Sequence, residues 1–566
     1  MIRLYRDEEA VALLQEAAFL RQWTALYAAC SHGTCFQDVP FVTAWYQIYG
    51  GQFEPLIVAG GADADALGGL LFLAVSKKDG AIVQVGGEQA EYHAWLARDG
   101  EPEGFIELAL DRLAEEFPRG RLQFLFLPPK TPLVWSDRWL SRCEWRAIAR
   151  PLLSTEPGNE IAEVLRKKKK KMRLNQLERL GELSFDRIRD PEAFETALDE
   201  IIPFYDFRQG AMYGAPPFAS DALKKPFYMA MMRQPGLLHV TVLRLDGRII
   251  SAHIGPRNKN QVVLGVIVQS PFLSRHSLGR IHILFLGLHL QEEGLSAVDL
   301  TPGGGYKEEL ASHHDEAYVL TVFFHRPAAR RYRMRRSLVT ASKRFVFMDR
   351  MKKLGERIRP RLKLIKASQL PAAVCREIKS AVWSRKDLRV YCLDVKSHPT
   401  LPGPTIMRRD HLADLLLYEP ADAGQPAQQE VWEKALERLE DGYHVYTHVL
   451  DGRLIHYGWL IENHESCPLD EVSQALACAP NSTALLNFYT HPRFREKGLF
   501  RSSLRQMLAD AVRSPQTQQI YISLLSHDAT ARRIVEEAGF RRQESYFKTT
   551  RFGKTTRGRD TTQSDT

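Results

Sequence analysis

LLNFYTHPRFREKGLFRSSLRQML, residues 485–508, contains the strongest structural signal in the chain. It begins with an apolar run typical of a β-strand, continues through a basic turn with one glycine, and ends in an amphipathic helical pattern. We expect the backbone N–H groups of loop 493–498 to turn toward one point, where a helix starting near Leu499 adds the positive end of its dipole. Gly498 leaves room for an anion beside the main chain. The stretch therefore predicts a pyrophosphate site.

This arrangement resembles the acyl-CoA-binding motif of the GNAT acetyltransferase superfamily, Arg/Gln-x-x-Gly-x-Gly/Ala. Arg495 and Gly498 match two of its positions, and Phe500 departs from the third. The flanking sequence has the superfamily's order, with a hairpin over 444–462, a strand over 520–526 and then a helix. The resemblance implies a GNAT domain that binds acetyl-CoA. The implied contacts are Asn487, Phe488, Tyr489, Arg493, Arg495, Glu496, Lys497, Gly498, Leu499, Phe500 and Arg501.

Composition indicates a globular protein without a membrane span. The chain has 566 residues, 44% of them hydrophobic and 26% charged, which is enough for three or four domains. No apolar run approaches the roughly 20 residues of a transmembrane helix, and the N-terminus does not look like a signal peptide. The seven cysteines have no CxxC or His-paired spacing, so neither a disulfide framework nor a metal site is expected. These features predict a cytoplasmic protein.

The positive charge is concentrated in one segment. The chain carries a net charge of +9, and residues 326–363 hold fifteen Lys and Arg against two acidic residues. Apolar residues interrupt the cations at helical spacing, and Pro360 ends the pattern. Two readings stay open: a solvated linker helix, or a basic surface for an anionic membrane or tRNA.

The N-terminal half reads as two mixed α/β modules. In the first, strand-like runs alternate with glycine-rich turns over 35–51 and 68–87, before a helix over 101–117. The second begins with one long polar helix over 161–183, which includes five consecutive lysines (167–171). It continues with a hairpin over 237–258, a loop over 270–280, an apolar helix from Ile281 and a strand over 297–313. Because the C-terminal module has the same order, the chain contains duplicated domains.

The N-terminal half resembles the CelD-type, cellulose-biosynthesis-associated acetyltransferases, relatives of the Fem-type aminoacyltransferases. Ser277 and Gly279 match the donor loop, where Leu278 replaces a proline, and Asp299, Gly303, Tyr306 and Lys307 match the terminal motif. The resemblance implies an α/β (α+β) protein of tandem GNAT-like folds, with mixed central sheets flanked by helices. The predicted regions are GNAT-like domains over 1–155 and 156–325, a basic linker over 326–372, a GNAT domain over 373–550 and a disordered tail over 551–566.

Candidate site residues follow from these resemblances. Asp299, Tyr489 and Glu462 are the candidate catalytic groups, although Asp299 is equally suited to capping the chain after a strand. Asp528 and Val535 replace the asparagine and the tyrosine that related enzymes carry, which weakens the catalytic reading of the C-terminal module. Further donor contacts are Ser277, Gly279 and Arg280, and the substrate contacts are Glu91, Tyr92, Trp95, Tyr306 and Lys307.

Together these features predict an acyltransferase. The preferred hypothesis is a bacterial N-acetyltransferase that transfers acetyl from acetyl-CoA to an amine or hydroxyl of a sugar or cell-envelope precursor, at the inner face of the membrane. The acceptor is a small molecule or glycan, as in polysaccharide biosynthesis. One alternative is a Fem-like enzyme that takes its donor from aminoacyl-tRNA, with residues 326–363 contacting the RNA. The other is a non-catalytic GNAT-fold scaffold that binds CoA or a glycan at the membrane.

Overall fold

The computed structural model describes residues 2–61, 67–98, 102–158, 161–342, 383–395, 406–422, 425–462, 466–514, 516–551 and 554–561. The chain divides into two compact units. The first unit comprises Met1–Tyr205 and Pro217–Val346, and the second comprises Asp206–Pro216 and Phe347–Thr566. Within the described ranges, no helix combines the length and the apolar character that crossing a membrane requires.

The first part of the chain, up to residue 158, forms seven strands and four helices. In chain order they are β1 (Ile2–Arg6), α1 (Asp7–Leu13), α2 (Ala17–Ala29), α3 (Val39–Tyr49), β2 (Phe53–Gly60), β3 (Gly69–Ser76), β4 (Ile82–Gln84), β5 (Leu96–Ala97), α4 (Pro102–Glu116), β6 (Arg121–Leu127) and β7 (Cys143–Ser154).

The region 161–342 adds seven strands and eight helices. They are α5 (Ile161–Arg166), α6 (Lys168–Glu178), β8 (Leu183–Ile188), α7 (Pro191–Tyr213), α8 (Pro217–Ser220), α9 (Lys224–Met232), β9 (Leu238–Leu245), β10 (Arg248–Asn258), β11 (Gln261–Val263), β12 (Val266–Gln269), α10 (Leu278–Glu292), β13 (Ala297–Asp299), α11 (Gly305–Glu308), β14 (His313–Phe323) and α12 (Arg326–Ser342).

The first unit contains two sheets. A five-stranded sheet has the order β1-β2-β3-β4, with β5 on β3, and a nine-stranded sheet has the order β6-β14-β7-β13-β11-β10-β9-β8, with β12 on β10. The larger sheet is mixed, because β11 runs parallel to β13 while its other pairs are antiparallel. Strands from both sides of residue 155 belong to this sheet, so the domain boundary placed there stays a prediction.

The second unit is built on one mixed eight-stranded sheet. Its elements are β15 (Trp383–Asp394), β16 (Arg408–Arg409), α13 (Leu412–Leu416), α14 (Gln428–Glu440), β17 (His444–Leu450), β18 (Arg453–Glu462), β19 (Ser466–Leu469), β20 (Gln474–Ala477), β21 (Ser482–Thr490), α15 (Leu499–Arg513), β22 (Gln519–Leu525), α16 (Ala529–Glu537), β23 (Arg541–Arg551) and β24 (Lys554–Thr561). The strand order is β16-β17-β18-β21-β22-β15-β23-β24, and β19 and β20 form a separate pair. The predicted class, mixed sheets flanked by helices, is confirmed.

Both predicted hairpins are present with the predicted turns. Asp246 and Gly247 join β9 to β10, and Asp451 and Gly452 join β17 to β18. All four residues have positive φ, between 47° and 76°. This is the type I′ geometry that aspartate and glycine favour between two strands.

Two elements of the N-terminal half differ from their predictions. Residues 39–49 form helix α3, because Asp38 accepts from the Val39 N–H at its start and the buried side chains recur at helical spacing. The polar pattern 161–183 forms α5 and α6 instead of one helix, since Lys167 has an extended ψ of 134°.

Two further predictions, both near element ends, were wrong. The strand predicted over 297–313 ends at Asp299, because Thr301, Gly303 and Gly304 have positive φ and the chain cannot stay extended. The tail was predicted to be disordered, but 554–561 form β24, which pairs with β23 along its whole length. An edge strand gains its hydrogen bonds from an existing sheet, so it needs little apolar surface of its own. Residues 562–566 and 343–382, including most of the basic segment, lie outside the described ranges.

Candidate functional site

In the second unit, two neighbouring strands separate before the basic loop. β21 pairs in parallel with β22 from Ser482 to Leu485 only, whereas its pairing with β18 continues to Thr490. Asn487 has a φ of 50° at the point of separation. The main chain of 487–489 is therefore open on the side of β22, as the sequence resemblance implied.

The loop that follows forms a cradle of unpaired backbone donors. Within the described residues, the N–H groups of Lys497, Gly498, Leu499 and Phe500 have no hydrogen-bond acceptor. Gly498 has a φ of 75°, and a Cβ added there would meet nothing within 4 Å. Four free N–H groups at the start of a 15-residue helix attract an anion. We call residues 496–500 the N–H cradle.

The cations around the cradle are mostly exposed, and one of them is paired. Arg493, Arg495 and Lys497 are exposed, and the Lys497 ammonium lies 5.0 Å from the centre of the Phe494 ring. Arg501 donates to Glu537 at 2.7 Å. Exposed arginine and lysine beside free N–H groups complete a surface suited to a phosphate.

The catalytic candidates of the second unit are not brought together. The Tyr489 ring stacks on Tyr457 with ring centroids 5.1 Å apart, and burial raises the pKa of Tyr489 to about 12. Glu462 pairs with Thr483 in the sheet, six residues and roughly 20 Å along the strand from Tyr489. The structure therefore places Glu462 far from the cradle.

Three other residues of this unit, His491, Asp528 and Val535, have local structural contacts. His491 is buried, and its Nδ1 accepts from the Arg493 N–H at 3.3 Å, so it shapes the loop. Asp528 caps α16 by accepting from the Ala531 N–H at 2.9 Å. Val535 lies in the apolar core.

The first unit repeats the strand separation. β11 pairs with β13 over residues 261–263, and β12 pairs only with β10 over 266–269. Leu264 and Gly265 lie between them, where the strand leaves β13. This opening precedes the loop 270–277 and helix α10, in the same order as in the second unit.

In the loop of the first unit, four of the five N–H groups of residues 277–281 already have acceptors, and only that of Leu278 has none among the described residues. The N–H groups of Ser277, Arg280 and Ile281 donate to backbone oxygens, and the Gly279 N–H donates to Oε1 of Gln269 at 3.0 Å. A Cβ on Gly279 would lie 3.0 Å from that oxygen. This loop therefore has no counterpart of the N–H cradle.

Side-chain cations surround this loop instead. Helix α6, which carries most of the lysine run, packs on it through Arg173, whose guanidinium donates to the Ser277 hydroxyl at 2.6 Å. Arg280 pairs with Glu309 at 2.7 Å, and Lys170 is close enough to Arg280 for the two charges to repel. An anion here would be held by side chains.

Asp299 anchors a buried polar cluster at the end of β13. It is fully buried, and its carboxylate accepts from Arg150 at 2.9 Å and from the Thr301 N–H at 2.9 Å. The Tyr92 hydroxyl lies 2.9 and 2.8 Å from its two oxygens. Burial raises the pKa of Asp299, and Arg150 acts in the opposite direction. Its acceptor sites are filled, so Asp299 is suited to positioning Tyr92 and Arg150.

Glu91, next to Tyr92, has the properties of a general base. Burial raises the pKa of Glu91 to about 7, with Asp299 adding to the effect and Lys307 opposing it. Its side chain lines a cavity of about 60 Å³. Lys224 of α9 lines the same cavity, as do Gly265 and Val266 of the strand opening. A carboxylate with a raised pKa thus lines the same cavity as the strand opening, which is a common feature of acid–base sites.

The remaining predicted contacts differ in their exposure. Trp95 is fully buried and packs edge-on against Phe124 and Trp135, so it belongs to the core and is not a substrate contact. Tyr306 is 38% exposed. The Lys307 ammonium donates to the Thr301 hydroxyl at 2.8 Å, and burial lowers the pKa of Lys307.

Sequence reasoning did not find Arg150 or Lys224. Arg150 lies in the middle of β7 and binds Asp315 through two nitrogens, at 2.7 and 2.6 Å, as well as Asp299. The feature that could have revealed it is its charge, because the last five residues of β7, which begin with Arg150, are all buried. Lys224 is 9% exposed at the start of α9, where a lysine is ordinarily solvated.

Residues 166–309 match the family model described as an acetyltransferase (GNAT) domain, which covers less than half of the chain. The match spans α6, the donor loop, α10 and Asp299, and the chain has a GNAT-type acyltransferase fold there. The predicted CelD-type relationship is not confirmed. No curated protein matches the sequence.

Several solved structures are similar to parts of the chain. A conserved protein of unknown function from Bacteroides thetaiotaomicron is 11% identical, with a TM-score of 0.38, over 54% of this chain and 97% of that one. FemX is 10% identical, with a TM-score of 0.38, over 53% of this chain and 95% of FemX. A tandem GNAT protein from the clavulanic acid biosynthesis pathway is 13% identical, with a TM-score of 0.22, over 66% of this chain and 100% of that protein. These values are too low to transfer a function.

Proposed function

We propose that this protein is an acyltransferase whose chemistry takes place in the first unit, with Glu91 as the general base. The observation that carries the proposal is the position of Glu91, a carboxylate with a pKa of about 7 in a cavity that reaches Gly265 and Val266. The matched acetyltransferase (GNAT) domain supports this reaction class.

In this proposal, Glu91 accepts a proton from the acceptor amine as the amine nitrogen attacks the acyl carbonyl carbon. The carbonyl electron pair moves to oxygen, and its return expels the carrier thiolate, which then takes up a proton. Asp299 fixes Tyr92, the residue that follows Glu91 in the chain, and so helps to position Glu91. Much of the rate enhancement would come from the alignment of donor and acceptor.

The first candidate for the acyl donor is acetyl-CoA. The first candidate for the acceptor is an amine of a sugar or of a cell-envelope precursor. The acceptor rests on the resemblance to CelD-type enzymes. In the second unit, we propose that the N–H cradle binds the CoA pyrophosphate, with Arg495 and Lys497 as further contacts. In the first unit, the phosphates would face Lys170, Arg275 and Arg280.

One observation favours a second candidate, an aminoacyl donor carried on tRNA. Four of the five N–H groups of loop 277–281 donate to acceptors within the protein, which leaves only the Leu278 N–H for a pyrophosphate, against four free N–H groups in the second unit. The phosphodiesters of RNA need only side-chain cations, which α6 and α12 provide. Binding by this route would weaken steeply as salt increases.

The test is amine acylation by Glu91→Gln, with acetyl-CoA and with aminoacyl-tRNA as donors. The substitution keeps the shape of the side chain and removes the base, so we expect transfer to fall by about 10²–10⁴-fold with the true donor. Glu88→Gln, on the same cavity wall, is the matched control. An unchanged rate for Glu91→Gln would refute this site, and CoA binding without transfer to any of a broad set of amines and sugars would favour the scaffold alternative.

A further inference from the structure

Two histidines and a glutamate converge near the C-terminal end of α10, away from the donor loop. His289 and Glu293 are one helical turn apart, so they share a face, and His239 is the second residue of β9. Nε2 of His239 lies 3.2 Å from Oε2 of Glu293, and Nε2 of His289 lies 3.2 Å from Oε1. One ligand atom from each residue lies within 4.8 Å of the other two.

The two 3.2 Å separations, each to a different oxygen of Glu293, are close to those between ligands of one metal ion. Zn–N and Zn–O bonds of about 2.0–2.2 Å in a tetrahedral site place neighbouring ligand atoms about 3.3–3.5 Å apart. Nε2 of His289 is buried and has no hydrogen-bond partner among the described residues, although it lies 3.2 Å from a carboxylate oxygen. The His289 nitrogen and the carboxylate face each other without a hydrogen bond, as two ligands of a shared cation do, whereas Nε2 of His239 forms a hydrogen bond with Glu293 that a metal would replace.

We propose that His239, His289 and Glu293 bind one divalent transition-metal ion of the zinc class. Two imidazoles and one carboxylate suit Zn²⁺ and leave a fourth position for water. His239 is fully buried, whereas His289 and Glu293 are partly exposed, so an ion can enter from solvent. The ion would fasten the end of α10 to β9. Its role would be structural, because the cluster lies at the opposite end of α10 from the loop.

Two arginines compete with the ion. Arg187 forms an ion pair with Oε1 of Glu293, and Arg189 lies 3.3 Å from the same oxygen. Glu292 lies 3.8 Å from Nδ1 of His289, and His253 is a further titratable neighbour of His239. The Arg187 cation must move or share the carboxylate when a metal binds. Replacing it by glutamine should therefore tighten metal binding.

The test is titration of the tag-free, chelator-treated full chain with Zn²⁺ in a calorimeter and with Co²⁺ by visible absorption. We expect one site per chain with tetrahedral Co²⁺ bands. His289→Ala should weaken it by on the order of 100-fold or more, since it removes a ligand. His314→Ala is the control, because His314 also contacts a glutamate, Glu308 at 2.7 Å, but lies outside the cluster.

Equal affinity in His289→Ala and the unaltered protein would overturn the proposal, as would the absence of any such site in the unaltered protein. If His289→Ala does not fold, Glu293→Gln serves as a second variant with the same expected loss. Arg187→Gln provides an independent check, because tighter binding supports the cluster and weaker binding contradicts it.

Discussion

We propose that the two units divide two tasks of acyl transfer, the binding of an anionic donor and the removal of a proton. Each has a strand that leaves its parallel neighbour, a loop and then a helix. In the second unit the loop leaves four N–H groups free, but the candidate catalytic carboxylate, Glu462, lies far from them. In the first unit most of the loop N–H groups are occupied, and Glu91 lines the same cavity as Gly265 and Val266 of the strand opening. The same fold thus favours anion binding in one copy and proton transfer in the other.

Asp299→Ala should produce the largest effect, on the stability of the first unit. Removing Asp299 leaves Tyr92 and Arg150 without their shared buried acceptor, which costs about 3–5 kcal/mol of unfolding free energy. Denaturant unfolding measures the loss. The control is Asp315→Ala, whose carboxylate is 35% exposed and for which we expect about 1 kcal/mol. Equal losses of unfolding free energy in the two variants would show that Asp299 is not the main acceptor of the cluster.

Arg495→Ala/Gly498→Glu should abolish tight CoA binding in the second unit. The pair removes a cation and places a carboxylate where the phosphate would lie, on a backbone with a φ of 75° that disfavours a side chain. We expect CoA affinity to fall on the order of 100-fold by calorimetry. The matched pair in the first unit, Gly279→Glu/Arg280→Ala, should leave the tight site unchanged. If the first-unit pair lost tight CoA binding and the second-unit pair kept it, the CoA site would lie in the first unit and not at the N–H cradle.

Acyl transfer should depend on pH through Glu91. The base must be ionised, so the rate should rise about tenfold per pH unit below about 7 and level off above it. The stability of the fold should change with pH in the opposite direction from the rate. Because folding raises the pKa of Glu91 from 4.5, its protonated form stabilises the fold, and this contribution declines as the pH rises from 4.5 through about 7. A rate that is flat between pH 5 and 8 would exclude Glu91 as the base.

Asp528→Ala should have the smallest effect, confined to stability. Asp528 caps α16 through the Ala531 N–H, so its loss should cost about 1 kcal/mol. Thermal unfolding measures this cost, and CoA affinity should not change. A loss of CoA binding in a stably folded variant would show that Asp528 contacts the ligand.

Local signals made the second unit largely predictable. The loop 493–498 and the start of α15 at Leu499 depend on turn residues and a basic run that are adjacent in sequence. The Asp-Gly turns of both hairpins were predicted for the same reason. The edge strand β24 was missed because its stability comes from β23 and not from its own composition.

The first-unit site was only partly predictable. Glu91, Tyr92 and Asp299 were selected by resemblance, but Tyr92 and Asp299 are 207 residues apart and Arg150 and Asp315 are 165 apart. The contacts of Arg150 with Asp299 and Asp315 arise when β7, β13 and β14 join in one sheet, and Tyr92 reaches Asp299 from the chain just before β5; no local pattern specifies either. The pKa of Glu91 depends on the same packing. Trp95 was misassigned because an aromatic residue in a core and one in a cleft have the same local sequence.

The most direct test of this division of tasks is the rate of acyl transfer by Arg495→Ala/Gly498→Glu, with the donor that supports turnover in the unaltered protein. If the chemistry takes place in the first unit, the variant should lose tight CoA binding and still transfer the acyl group at close to the unaltered rate. Loss of transfer together with CoA binding would place the reaction in the second unit and contradict the assignment of Glu91.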